Sequence, residues 1–236
     1  VALKVFKRDT GRLYYSELAA TLSLEHENLV RLMDLWDETK GRGLVLELCA
    51  GGSLRDMLNR GQDLSMKEFL AISDQVCSAL DYLHLRKMTH GDIKPENLLR
   101  ARVTGEPQWK IADFGLAQAT VNKRAEYYTP RYAAPEQFEG KITPASDVYA
   151  FGKVLIECLS RISTQFEPGA VGLLEAIRWL CESAIASEPQ RRITAARLAA
   201  EIRECVADSR VSRHSKEIER MDFDESDALK FPGLES

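Results

Sequence analysis

His90-Gly91-Asp92-Ile93-Lys94-Pro95-Glu96-Asn97 decides the reading of this chain. On an irregular loop, Asp92 and Asn97 can face one site. Two short motifs follow in order, Asp113-Phe114-Gly115 and Ala134-Pro135-Glu136. Just upstream, Phe69, Ile72, Val76, Ala79, Leu80 and Leu83 recur at i+3 and i+4, which predicts an amphipathic helix over 66–88. Downstream, residues 145–159 are apolar on nearly all sides, as for a helix buried at the centre of a lobe, with Thr143-Pro144 as its start signal. Helices are also predicted over 170–186 and 194–206. Before Gly51-Gly52 the pattern differs. A strand is predicted over 1–6, a helix over 12–24 with Leu13, Leu18, Ala19 and Leu22 to one side, and strands near 29–36 and 43–48 around a turn at Lys40-Gly41-Arg42-Gly43. Ser53 is placed to cap a short helix running to about Arg60.

The 236 residues are 44% hydrophobic and 29% charged, with a formal net charge of −4. That is an ordinary globular balance, with core material for one large domain or two small lobes. The acidic excess argues against a general nucleic-acid coat, which needs a basic face. No apolar stretch approaches the roughly 18 residues of a membrane span. The nearest, Val148 to Leu159, is interrupted by Lys153 and Glu157. Cys49, Cys77, Cys158, Cys181 and Cys205 form no CxxC or His/Cys cluster. This argues against a zinc site and favours a cytoplasmic or other reducing compartment over a disulfide framework. From about 209 the chain turns polar, with four basic and seven acidic side chains over 213–236. A solvated or disordered tail is expected; the sharper reading is a regulatory tail anchored by Met221, Phe223 or Phe231.

The ordered motifs closely resemble the eukaryotic-type protein kinases, from Val1 to about Cys205. The resemblance implies an α+β, two-lobed fold: a partial, β-rich N-lobe and hinge over 1–50, a larger, mostly helical C-lobe over 51–206, and a polar tail over 207–236. It implies transfer of the ATP γ-phosphoryl group, with Mg²⁺, to Ser or Thr hydroxyls of a protein substrate. Lys94 within Asp-Ile-Lys-Pro-Glu-Asn resembles the Ser/Thr kinases more than the tyrosine kinases. Such transfer requires alignment and charge neutralisation more than covalent catalysis. By the resemblance, Asp92 is the base, Lys94 neutralises charge on the transferring phosphate, and Asn97 and Asp113 are oxygen ligands to Mg²⁺. Lys4 matches the strand lysine that contacts the α- and β-phosphates, and Glu17 the helix glutamate paired with it. Leu46 matches the gatekeeper, Glu47 and Cys49 the hinge backbone that bonds adenine, and Ala2 and Leu99 the residues that sandwich its ring. Asp147 resembles the helix aspartate that ties down the catalytic loop, and Arg192 resembles the partner of Glu136. Thr129 stands where a hydroxyl bonds Asp92 and Lys94. His90 reads as a packing residue, and His26, His84 and His214 as structural or exposed.

Four features depart from the family pattern. The chain opens at the strand that would follow a Gly-rich loop, so truncation upstream is expected, and this stretch alone is expected to bind ATP poorly. Gly91 replaces the arginine that would meet an activation-loop phosphate. Activity is therefore not expected to need that phosphate, even if Thr120, Tyr127 or Tyr128 is modified. Residues 160–169 leave little room for the helix that usually follows. Thr21 stands where an apolar residue is usual. Two other readings are a pseudokinase scaffold and a small-molecule phosphotransferase of the aminoglycoside or choline type, in which His-Gly-Asp is common. Retention of Lys4, Asp92, Asn97 and Asp113 argues against the first; Ala134-Pro135-Glu136, Asp147 and Arg192 argue against the second.

Overall fold

Side chains alternate along the first residues: Val1, Leu3 and Val5 are exposed, while Ala2, Lys4 and Phe6 are half-buried. In the computed structural model, which describes residues 1–6, 11–38, 41–61, 63–114, 118–119, 129–162 and 170–208, this run is strand β1 (Ala2–Phe6). With β2 (Leu32–Glu38) and β3 (Gly41–Leu46) it forms an antiparallel sheet in the order β1-β3-β2. Pairing runs on through Gly41, Arg42 and Gly43, so these expected turn residues belong to the strand, while Lys40 lies outside the described residues. The cause is Trp36. A Cβ on Gly41 would lie 3.3 Å from its ring, and one on Gly43 would lie 2.8 Å from the Lys4 carbonyl oxygen. These glycines admit close approach rather than chain reversal.

Helix α1 (Gly11–Leu22) packs by a different face from the one expected. It buries Tyr14, Glu17, Ala20 and Thr21, while Leu22 is 66% exposed. Lys4 projects from the inner face of the sheet, and its partly buried ammonium draws the Glu17 face inward.

The larger lobe is helical. Ser53 and Asp56 form a reciprocal cap for α2 (Leu54–Asn59), and Ser65 caps α3 (Met66–Leu85). Helix α3 buries the predicted stripe, including Phe69, Ile72, Val76 and Leu80. Two short antiparallel pairs follow: β4 (Met88–Thr89) with β7 (Gln118–Ala119), and β5 (Leu98–Arg100) with β6 (Trp109–Ile111). Helix α4 (Pro144–Leu159) runs through the core against α5 (Ala170–Ala184), and a further helix, α6, over 195–208 adds Leu198 and Ile202 to the same core. The two lobes are stitched behind the cleft, where Val30 N–H donates to the Ile111 carbonyl at 2.9 Å and Ile111 N–H donates to the Asn28 carbonyl at 2.8 Å. The α+β, two-lobed expectation holds. Among the described residues no helix is long and apolar enough to cross a membrane. Gly115, Thr120, Tyr127, Tyr128, residues 163–169, the Leu13 side chain and the tail over 209–236, with His214, Met221, Phe223 and Phe231, lie outside the described residues.

Candidate active site

Residues from both lobes meet at Lys4. Its ammonium contacts both Glu17 oxygens, at 2.7 and 2.6 Å, and Asp113 Oδ1 at 2.8 Å. Burial pulls the Lys4 pKa down, but the hydrogen bonds and charges of Asp113 and Glu17 outweigh it, so the net shift is upward and the ammonium keeps its proton. Burial raises the Glu17 carboxyl, against the pull of Lys4. The two short contacts to the ammonium mark the pair as ionised at neutral pH. Asp113 has φ of 68°, a left-handed conformation that aspartate tolerates better than most residues. Phe114 is buried beside it, edge-on to His90 at 5.5 Å between ring centroids.

The loop between β4 and β5 is tied at every turn. His90 Nδ1 accepts from Asp92 N–H at 3.2 Å, so Nε2 carries the proton donated to the Ala112 carbonyl at 3.0 Å. Asp147, 1% exposed on α4, accepts from the N–H groups of His90 and Gly91, each at 2.8 Å, and contacts His84 Nε2 at 3.0 Å. Asn97 Nδ2 donates to the Asp92 carbonyl at 2.8 Å, and Ala112 N–H donates to the Asn97 carbonyl at 2.9 Å. The Asp92 carboxylate is gripped at both oxygens. Thr129 Oγ1 donates to Oδ1 at 3.0 Å, and Lys94 Nζ bonds Oδ2 and also reaches Thr129 Oγ1 at 3.0 Å. Asp92, Lys94, Asn97 and Asp113 are thus brought together with Lys4 and Glu17.

The residues expected to flank adenine lie on both lobes. Ala2 stands directly across the sheet from Leu46, and Leu99 lies in β5, bridged to Ser53. Glu47 N–H donates to the Arg31 carbonyl at 2.9 Å, while its carboxylate meets Lys110 Nζ at 3.0 Å. Burial pushes the Cys49 thiol up to about 11, so it is protonated at neutral pH.

The donor set fits a hard cation. Because Asn97 Nδ2 is spent on the Asp92 carbonyl, Oδ1 is the end of the amide available to an ion. With the Asp113 carboxylate it offers oxygen only, as Mg²⁺ requires. Among the described residues no group of three or more His, Cys, Asp and Glu side chains is placed to hold a metal.

The family model described as "Protein kinase domain" matches residues 1–168. This chain belongs to the protein kinase domain family. Calcium-dependent protein kinase 5 of Plasmodium berghei is 32% identical to the kinase domain over 142 residues, covering 59% of this chain and 25% of that protein. Serine/threonine-protein kinase PrkC of Bacillus subtilis is 32% identical over 172 residues, 68% of this chain and 26% of its own length. Human calcium/calmodulin-dependent protein kinase type IV is 33% identical over 156 residues, 64% of this chain and 33% of its own length. The chain therefore spans between a quarter and a third of these relatives.

Sequence reasoning missed two parts of this kinase site, while His84, read as structural or exposed, is structural: it contacts Asp147. Arg55 on α2 joins Glu96 of the loop at 2.9 Å, Glu157 of α4 at 2.7 Å and the Tyr132 hydroxyl. Gln137, directly after Glu136, reaches the Gly91 carbonyl. Residue type alone carries no signal for Arg55. For Gln137 the one available signal was an amide at the third position of a turn opened by Ala134-Pro135, where it caps its own turn.

Proposed function

We propose that this kinase domain transfers the γ-phosphoryl group of Mg-ATP to Ser or Thr hydroxyls of protein substrates. The observation that carries the reading is the Asp92 carboxylate held between Thr129 and Lys94, one lobe away from the Lys4–Glu17 pair. Asp92 orients the substrate hydroxyl and accepts its proton as the oxygen–phosphorus bond forms and the bond to the β-phosphate oxygen breaks. Lys94 offsets charge on the transferring group. Lys4, fixed by Glu17, binds the α- and β-phosphates, and Asn97 and Asp113 hold Mg²⁺, which when bound neutralises phosphate charge and aligns the chain of phosphates. Ala2, Leu46 and Leu99 enclose the adenine, with the backbone of Glu47 and Cys49 as its hydrogen-bond partners. The Lys94 loop and the likeness to the serine/threonine-protein kinase PrkC support hydroxyl acceptors of Ser and Thr.

The test is γ-labelled ATP with Ser, Thr and Tyr peptide libraries on the full-length protein. Label is expected on Ser or Thr, and Asp92→Asn is expected to lower the rate by about 100-fold or more. Label confined to Tyr or to small metabolites, or an Asp92→Asn protein as fast as wild type, would reject this function.

A further inference from the structure

The two peptide groups that flank Gly91 are each gripped by a buried side chain. The Gly91 N–H donates to Asp147 Oδ1 at 2.8 Å, and the Gly91 carbonyl accepts from Gln137 Nε2 at 3.0 Å. Gln137 is 3% exposed and lies in the 3-10 turn Pro135–Glu139. Its Oε1 accepts from Ala134 N–H at 2.9 Å, which fixes the amide with nitrogen toward the loop. With Asp92, Thr129 and Tyr132 it lines the small cavity behind the loop. Gly91 has φ of +83° and no side chain with which to anchor itself. The loop is held here through its backbone alone.

We propose that Gln137 is a positioning residue for Asp92, clamping the Gly91–Asp92 peptide from the side of the Ala134-Pro135-Glu136 segment. The inference rests on the assignment of Asp92 as base. Rotation of that peptide displaces the Asp92 Cα, and with it both oxygens held by Thr129 and Lys94. The task needs a group that accepts at one end and donates at the other. A glutamate at this position keeps the acceptor for Ala134 N–H but sets an oxygen against the Gly91 carbonyl, turning attraction into repulsion. Methionine of similar length loses both bonds.

The test uses Gln137→Glu and Gln137→Met in the full-length protein, assayed well below their unfolding midpoints. Both are expected to lower kcat by roughly 10- to 100-fold, with the KM for ATP within about twofold of wild type. In an Asp92→Asn background, Gln137→Glu is expected to change the residual rate by less than about twofold, because it acts through the lost carboxylate. Hydrogen exchange at the amides of residues 90–93 is expected to quicken in both variants. An unchanged kcat, or an undiminished loss in the Asp92→Asn background, overturns the proposal. If the wild type labels no Ser or Thr substrate, the proposed function falls, and hydrogen exchange alone decides the clamp: faster exchange upholds it and unchanged exchange overturns it.

Discussion

Arg192 meets Glu136 in a two-point ion pair, at 2.6 and 2.8 Å, with an Arg192 side chain that is 0% exposed. The guanidinium also donates to the carbonyls of Ala186, Ser187 and Ala145. Glu136 accepts in addition from Ser146 Oγ at 2.7 Å. The pair pins the segment after Thr129 to the end of α5 and the start of α4. Removing Arg192 leaves a buried carboxylate and the carbonyls without their donor. Removing the Glu136 charge leaves a guanidinium still surrounded by acceptors.

Arg192→Leu is therefore expected to destabilise the fold by about 3–5 kcal/mol, and Glu136→Gln by less. At roughly 2–4 °C per kcal/mol for a domain of this size, Arg192→Leu lowers the calorimetric Tm by ~6–20 °C. Equal losses for the two variants would contradict the asymmetry.

Acid should weaken the fold through the same carboxylates. Burial alone would raise Glu136 and Glu157. Hydrogen bonds from Arg192 and Ser146 to the first, and from Arg55 and Tyr132 to the second, hold both below their ordinary range. As pH falls below the ordinary carboxylate range, the unfolded chain takes up these protons first. The stabilisation is complete above that range and is lost as pH drops through the depressed native values. Glu17, whose carboxyl is raised, contributes the opposite slope. The Tm is thus expected to fall below about pH 5, and a Glu136→Gln/Glu157→Gln protein to show a shallower fall. An identical slope in the double variant would count against this account.

Asp147→Asn tests the loop anchor. The carboxylate gives one oxygen to each of two backbone N–H groups, at 2.8 Å. An amide has one oxygen and turns a donor toward the other N–H. A loss of about 1–3 kcal/mol is expected in chemical unfolding, together with a lower kcat. Unfolding and turnover that both match wild type would show that the anchor is dispensable.

Gly152→Ala sets two effects against each other. Alanine improves helix propensity by about 1 kcal/mol. Its Cβ, however, would lie 2.9 Å from both Ala184 Cβ and Ile185 Cγ2, where α4 crosses the end of α5. Overpacking of this kind costs about 1–3 kcal/mol, so a net destabilisation of up to ~2 kcal/mol is expected from urea titration. A more stable variant would mean that the helices part freely.

Lys4→Met removes the cation shared by Glu17 and Asp113. Loss of a charged hydrogen bond to phosphate, about 1.5–3 kcal/mol, is expected to slow phosphoryl transfer from ATP by roughly 10- to 100-fold. A labelled-ATP assay beside a melting curve separates this loss from unfolding.

What the sequence determined by itself is local or ordered along the chain. The stripe of α3, the all-round apolarity of α4, the Ser53 cap and the succession from His90 through Asp113 to Glu136 are legible because near neighbours and motif order specify them. Tertiary structure decided what depends on distant partners. The buried face of α1 was misread from its leucines because Lys4, thirteen positions from Glu17, chooses it. Gly41 and Gly43 read as a turn because the Trp36 ring that needs their bare backbone is invisible to local pattern. Arg55 finds Glu96, Tyr132 and Glu157 at separations of 41, 77 and 102 residues, and Gln137 finds Gly91 at 46. A polar side chain of this kind carries no periodic mark. Its partner is chosen only when packing removes water and leaves one acceptor within reach.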